Sequence, residues 1–167
     1  YNRPSLCNRV EAFTIMMVNA WELFLKAEIL DTFGEEKVFY KNGKSISISD
    51  ALPLRIQNND PVKRNIDTLI LLRDQATHLL IPELQPQLSR LFQANVFNYQ
   101  ERYKNQMGNS PLAGQSVGML SLVIDGPTPE IGVIQKNYGV LAATEVAKFI
   151  QSFEHTNREL NSDKFSI

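Results

Sequence analysis

Residues 11–30 read EAFTIMMVNAWELFLKAEIL, and the first backbone breaker after them is Gly34. A run this long without glycine or proline reads as one helix near residues 9–32, ending at Phe33-Gly34, because glycine is the usual stop. At about 100° per residue, Asn19, Glu22 and Lys26 fall on one narrow face. The remaining surface, with Phe13, Met17, Trp21 and Phe24, is almost wholly apolar. The expectation is a mostly buried helix with one polar stripe. Glu22 and Lys26 stand in the favourable i, i+4 order, worth about 0.2–0.5 kcal/mol as a local ion pair. The run is long enough to span a bilayer but holds Asn19, Glu22, Lys26 and Glu28. Each central charge costs roughly 2.5–3.5 kcal/mol on insertion scales, so no membrane partner is expected.

A helix with that much apolar surface needs other elements to cover it. Asn42-Gly43 in VFYKNGKSISI is the signal for a type I′ hairpin, since both central positions then need positive φ. SISDALPL starts a short helical turn capped by Ser49 or Asp50. Asp60 as N-cap and Pro61 at the first helical position open another helix, predicted to run to about Leu80 before Pro82. Leu84, Leu88, Leu91, Asn95 and Tyr99 recur at three- and four-residue steps, which predicts a helix over about 83–106. VGMLSLVI (117–124) reads as a strand or an extended strap, and DGPTPEIG as a turn-rich linker. A last helix is expected over about 138–160. The fold class is therefore mainly α, a helical bundle with a small β-hairpin insert near 38–48. Residues 1–107 form its core; 108–167 add a strap or linker and a C-terminal helix packed on the same domain.

Composition excludes several functions. With 167 residues, 43% hydrophobic and 21% charged, the chain can bury a core. A formal net charge of −1 gives no global attraction to nucleic acid, so any such contact must come from a local patch. One cysteine (Cys7) and two histidines (His78, His155) allow neither an internal disulfide nor a zinc-ligand spacing. No metal, cofactor or signal peptide is expected, and the setting reads as cytoplasmic.

LILLRDQATHLL (69–80) then poses a chemical question, because it places charge inside a leucine-rich helix. On a wheel, Val62, Ile66, Leu69, Ile70, Ala76, Thr77 and Leu80 lie within about 60° of Arg73. Asp67, Leu71, Asp74 and His78 form a second ridge. Asp74 and His78 are one turn apart, and a carboxylate on one ring nitrogen fixes the tautomer and raises the basicity of the other. The bland alternative pairs Arg73 with Glu22 in a buried ion pair and leaves His78 an ordinary surface histidine.

LLRDQATH resembles the R-x4-H signature of the HEPN superfamily (higher eukaryotes and prokaryotes nucleotide-binding). FTIMMVNAWELFLKAEIL is similar to the opening helix of an uncharacterised bacterial family of unknown function associated with that superfamily, which shares an N-A-W-E-L-x-x-K core. YKNGKSISI, the motif helix and LFQANVFNYQE follow in that family's order, so the resemblance covers about residues 6–105. It implies a helical bundle that homodimerises through the motif helix, with two motifs facing one another. It also implies a metal-independent endoribonuclease of a bacterial defence or toxin-type system. In that chemistry the RNA 2′-hydroxyl attacks the neighbouring phosphate and leaves a 2′,3′-cyclic phosphate. The implied roles are His78 as acid/base, Arg73 at the phosphate and Asp74 as the orienting residue, although many relatives carry Asn at that position. Lys63 and Arg64 are candidate RNA contacts, and Asn19, Glu22 and Lys26 candidate supports; a solvated helix face and simple packing are the plainer readings of these. The alternative function is a non-catalytic dimeric module that binds RNA, a nucleotide, or a protein such as a cognate antitoxin or defence-system component. A third reading is a purely structural helical adaptor.

Overall fold

Gly34 ends the first helix where the sequence predicts, at φ 81°, in the left-handed region that a side chain makes costly. The computed structural model describes residues 9–75, 82–111, 113 and 129–167. In it α1 spans Arg9–Phe33, α2 is the single turn Glu35–Val38, and α3 is Ile48–Arg55. Helix α4 is Pro61–Asp74; a 3-10 turn at Pro82–Leu84 leads into α5 (Gln85–Met107), and α6 is Ile131–Leu160. The fold is mainly α, and no β-strand occurs among the described residues.

The hairpin insert is the first correction. Phe39 and Ser45 form a single antiparallel bridge, closed by Tyr40 N–H to Lys44 O at 2.8 Å and Gly43 N–H to Tyr40 O at 2.9 Å. Positive φ in this loop is confined to Gly43, so the turn is not type I′. The arms are too short for strands, because α2 occupies Glu35–Val38 and Ser47 already caps α3. That cap is the second correction: Ser47, not Ser49 or Asp50, precedes α3, and its Oγ accepts from the Asp50 N–H at 3.3 Å. The Asp50 carboxylate instead receives the hydroxyls of Ser47 (2.6 Å) and Tyr40 (2.5 Å). Those two bonds, Ser47's above all, hold the Asp50 carboxyl below its ordinary range.

Helix α4 begins as its sequence dictates. Asp60 caps it, accepting from the Val62 N–H at 2.8 Å, and Pro61 takes the first position. It ends at Asp74 with Gln75 as C-cap, short of the expected Leu80; residues 76–81 lie outside the described residues, as does the 117–124 strap. Helix α5 stops at Gly108, in the left-handed conformation at φ 77°. Helix α6 starts earlier than expected, at Ile131, and is broken at Gly139 (φ 88°, ψ 171°). The predicted start near 138 therefore marks a break inside a longer element.

The core lies between α1, α4 and α5, with the second half of α6 and Phe165 closing one side. Trp21, Leu25, Ile29, Ile66, Leu69 and Leu91 are fully buried in it. Helices α1 and α5 run parallel: Phe13 stacks near Phe92 at 4.6 Å, and Trp21 meets Tyr99 edge-on at 5.2 Å. An amide chain ties three helices together. Trp21 Nε1 donates to Asn95 Oδ1 (3.1 Å), Asn95 Nδ2 to Asn65 Oδ1 (2.7 Å), and Asn65 Nδ2 to the carbonyls of Leu91 and Phe165 (3.0 and 2.7 Å). All three side chains are fully buried, so each polar atom needs such a partner.

Helix α1 differs from its expectation on both faces. Its inner face buries a charge, Glu28. Its outer face leaves Met16, Leu23 and Leu30 in solvent, so the helix is not mostly buried. The wheel identified its apolar residues, but far more of them exist than one bundle interior can accept.

Candidate functional site

On α4 the inward face is centred on Leu69, flanked by Asn65, Ile66 and Leu72, all fully buried. Arg73 lies about 40° round from Leu69 and one turn further on. This puts it at the margin of the buried face and in the helix's last turn, not at the centre of the apolar face. Its side chain is 30% exposed, and Nε donates to Asp74 Oδ1 at 2.9 Å. Asp74 is 58% exposed. The pair thus sits at an open helix end, where a basic group also complements the macrodipole.

The buried Arg73–Glu22 alternative is overturned. Glu22 accepts from Lys26 Nζ at 2.5 Å, and Lys26 also donates to Ser45 Oγ at 2.9 Å in the turn after α2. Asn19 is exposed. The three candidate supports therefore line the outer side of α1, while α4 packs against its inner side, and they are not brought to Arg73 or Asp74. Lys63 pairs with Asp67 at 2.8 Å. Arg64 is exposed and lies about 13 Å along the axis from Arg73, on the opposite face. Neither joins Arg73. His78 lies outside the described residues, and so does the Asp74–His78 contact that the spacing predicts.

Beside the motif a cleft of about 220 Å³ opens between α4 and α6. Thr68, Leu71 and Gln75 form one wall, and Phe149, Ser152 and Thr156 the other. Leu71 belongs to the same ridge as Asp67 and Asp74, so part of that ridge borders α6 of its own chain. No group of three or more metal-ligating side chains occurs among the described residues, and no described helix is long and apolar enough to cross a membrane.

Two polar constellations escaped the sequence reading. One is the Trp21–Asn95–Asn65 chain, and its signal was available: Asn95 occupies an apolar ridge position in α5. The other is an ion triad at the far end of the bundle. Glu28 is 3% exposed and accepts from Arg102 Nε and Nη2 (3.1 and 2.8 Å) and Arg55 Nε (3.4 Å). Arg102 Nη2 also reaches the Arg55 carbonyl at 3.2 Å, and Phe33 lies under the Arg55 guanidinium at 5.8 Å. The triad clamps α1, α3 and α5.

The family model for a domain of unknown function, DUF3644, matches residues 1–157. The chain belongs to the DUF3644 family. That agrees with the likeness of the first helix to a family of unknown function, and it carries the match beyond residue 105 into α6. No curated protein and no solved structure matches this DUF3644 chain.

Proposed function

We propose that this DUF3644 domain is a metal-independent endoribonuclease of a bacterial defence or toxin-type system. The observation that supports it most is Arg73: a guanidinium at a helix end, steadied by an exposed carboxylate and five residues before His78 in sequence. Arg73 neutralises the scissile phosphate. His78 takes the proton of the 2′-hydroxyl as that oxygen attacks phosphorus, and a proton passes to the departing 5′-oxygen. The products are a 2′,3′-cyclic phosphate and a free 5′-hydroxyl. The cleft lined by Leu71 and Gln75 gives a neighbouring base somewhere to lie, and single-stranded RNA offers such splayed bases. Two copies meeting along Leu71 and Asp74 would place two motifs in one groove, with RNA as substrate and a cognate antitoxin or defence-system protein as controlling partner.

The test is cleavage of RNA in EDTA, with DNA as the negative control and cyclic phosphate ends as the signature. His78→Ala is expected to cost about 10²–10⁴-fold in rate. Arg73→Ala is expected to lose about 10²–10³-fold, and Arg73→Lys to recover little, since a point charge does not reproduce the planar fork. Cleavage at the parent rate by both folded variants would overturn the nuclease reading. One observation favours the non-catalytic alternative: Asp74 already balances the Arg73 charge at 2.9 Å, which weakens its pull on a phosphate. RNA bound but never cut, with binding lost in Arg73→Ala, is the result that reading requires.

A further inference from the structure

The outer face of α1 carries an apolar band that its own fold leaves uncovered. Leu23 is 70% exposed, Met16 69% and Leu30 45%. At 100° per residue Met16 and Leu30 each lie within about 20° of Leu23, with Ala12 in the same line. From Met16 to Leu30 the band is about 21 Å long. It holds no charged side chain; Lys26, at its edge, is folded back on Glu22 and Ser45. Contiguous apolar surface of this kind marks a contact site.

A bilayer surface is a poor occupant. Membrane-binding helices flank their apolar face with Lys and Arg, whereas the exposed charged groups at the C-terminal end of this one are Asp31, Glu35 and Glu36 against Lys37. The order of residues points elsewhere, because the band is close to a palindrome centred on Leu23. Seven residues to either side stand Met16 and Leu30. One edge carries Asn19 and Lys26, at −4 and +3, and the other carries Ala20 and Ala27, at −3 and +4.

We propose that the outer face of α1 docks antiparallel on the same face of a second copy, with the two-fold axis at Leu23. A two-fold axis normal to the plane of the two helices reverses direction but keeps each edge on its own side. Leu23 then meets the partner's Leu23, and Met16 meets the partner's Leu30. On one edge Asn19 comes beside the partner's Lys26, within one residue along the axis, so the amide oxygen can accept from the ammonium. On the other edge Ala20 meets the partner's Ala27, which lets the backbones approach. A surface for an unrelated protein has no reason to match itself when reversed; an isologous contact requires it. This face points away from α4, so the inference does not rest on the ribonuclease reading or on a contact through the motif helix.

Sedimentation velocity at micromolar concentration tests it. The parent chain is expected to self-associate, and Leu23→Glu, which sets two carboxylates against each other at the axis, to remove that association. Because Leu23 is exposed in the single chain, the far-UV spectrum and melting curve of the variant at low concentration should match the parent's. In a Cys7→Ser background, Leu23→Cys should give a covalent dimer with a short bis-maleimide, and Leu54→Cys, exposed but off the band, should not. A parent that stays monomeric overturns the proposal. So does an association that survives Leu23→Glu, which would place the contact elsewhere, the motif helix included.

Discussion

Replacing Glu28 by Gln keeps the shape of the side chain and removes its charge. In the parent, one carboxylate that is 3% exposed takes three guanidinium N–H groups from Arg102 and Arg55. The amide keeps one acceptor oxygen but turns its NH2 toward donors that cannot accept. Breaking a buried ion pair from one side costs about 3–5 kcal/mol. Arg55 and Arg102 remain 20% and 26% exposed, so water relieves part of their desolvation and about 3 kcal/mol is the better expectation. For a chain of this size that is roughly a 6–12 °C fall in Tm. In urea, with m of about 1–3 kcal/mol/M, the midpoint should fall by about 1–3 M while m stays constant. Adding Arg102→Met to Glu28→Gln should recover part of the loss, because it removes one of the stranded donors. A Glu28→Gln midpoint within about 0.3 M of the parent's would refute the reasoning, since the triad would then be a solvated surface pair.

Other expectations are narrower. Trp21→Ala should cost about 3–5 kcal/mol, and Trp21→Phe about 1–3 kcal/mol, because the ring survives while Asn95 Oδ1 loses its donor; urea titration separates the two. Asp50 is held below its ordinary carboxyl value of 3.8 by the Ser47 and Tyr40 hydroxyls, so its contribution is present above pH 3.8 and lost as pH falls through the depressed value. Far-UV melts of Asp50→Asn should accordingly show a shallower loss of stability below pH 4 than the parent. Gly139→Ala should lower stability by about 1 kcal/mol or more, since φ of 88° suits no side chain; a raised Tm would mean that the break straightens.

Much of the helical framework was legible because its punctuation is local. Gly34, Asp60-Pro61 and Gly108 each act through their own backbone, and each marks a boundary where expected. The turn at Asn42-Gly43 was placed correctly but built wrongly, because whether its arms extend depends on how early α3 is capped. The pairing of charges was much less legible. Glu28 lies in α1 with Glu22 and Lys26 close by, and nothing in its neighbourhood announces that its partners stand 27 and 74 residues away. Arg73 illustrates the same limit. The wheel put it on the apolar side of α4, with Glu22 of α1 as its alternative partner, yet Asp74 is the acid it meets. Angular position shows which way a side chain leaves the helix; a long flexible arginine then ends wherever solvent and a carboxylate are both within reach.

The energies of the arginine pairs separate a structural role from a functional one. Arg102 cannot leave Glu28 without stranding a buried carboxylate, so a ligand would have to repay several kcal/mol to recruit it. Among the described residues Arg73 is held by Asp74, which is 58% exposed, and an exposed pair of that kind is worth about 0–1 kcal/mol. A phosphate oxygen that takes over a guanidinium edge therefore displaces little, while Asp74 returns to water. The ridge beside it is also open, since Leu71 is exposed and faces the cleft with Gln75. Of the two arginine sites, only the one on α4 can exchange its partner for a ligand at low cost. That makes the ribonuclease and RNA-binding readings hinge on Arg73, and makes the effect of phosphate or short RNA on the Arg73 Nε–H resonance a direct measurement. A shift of the Arg102 Nε–H resonance with none at Arg73 would refute this ordering of the two sites.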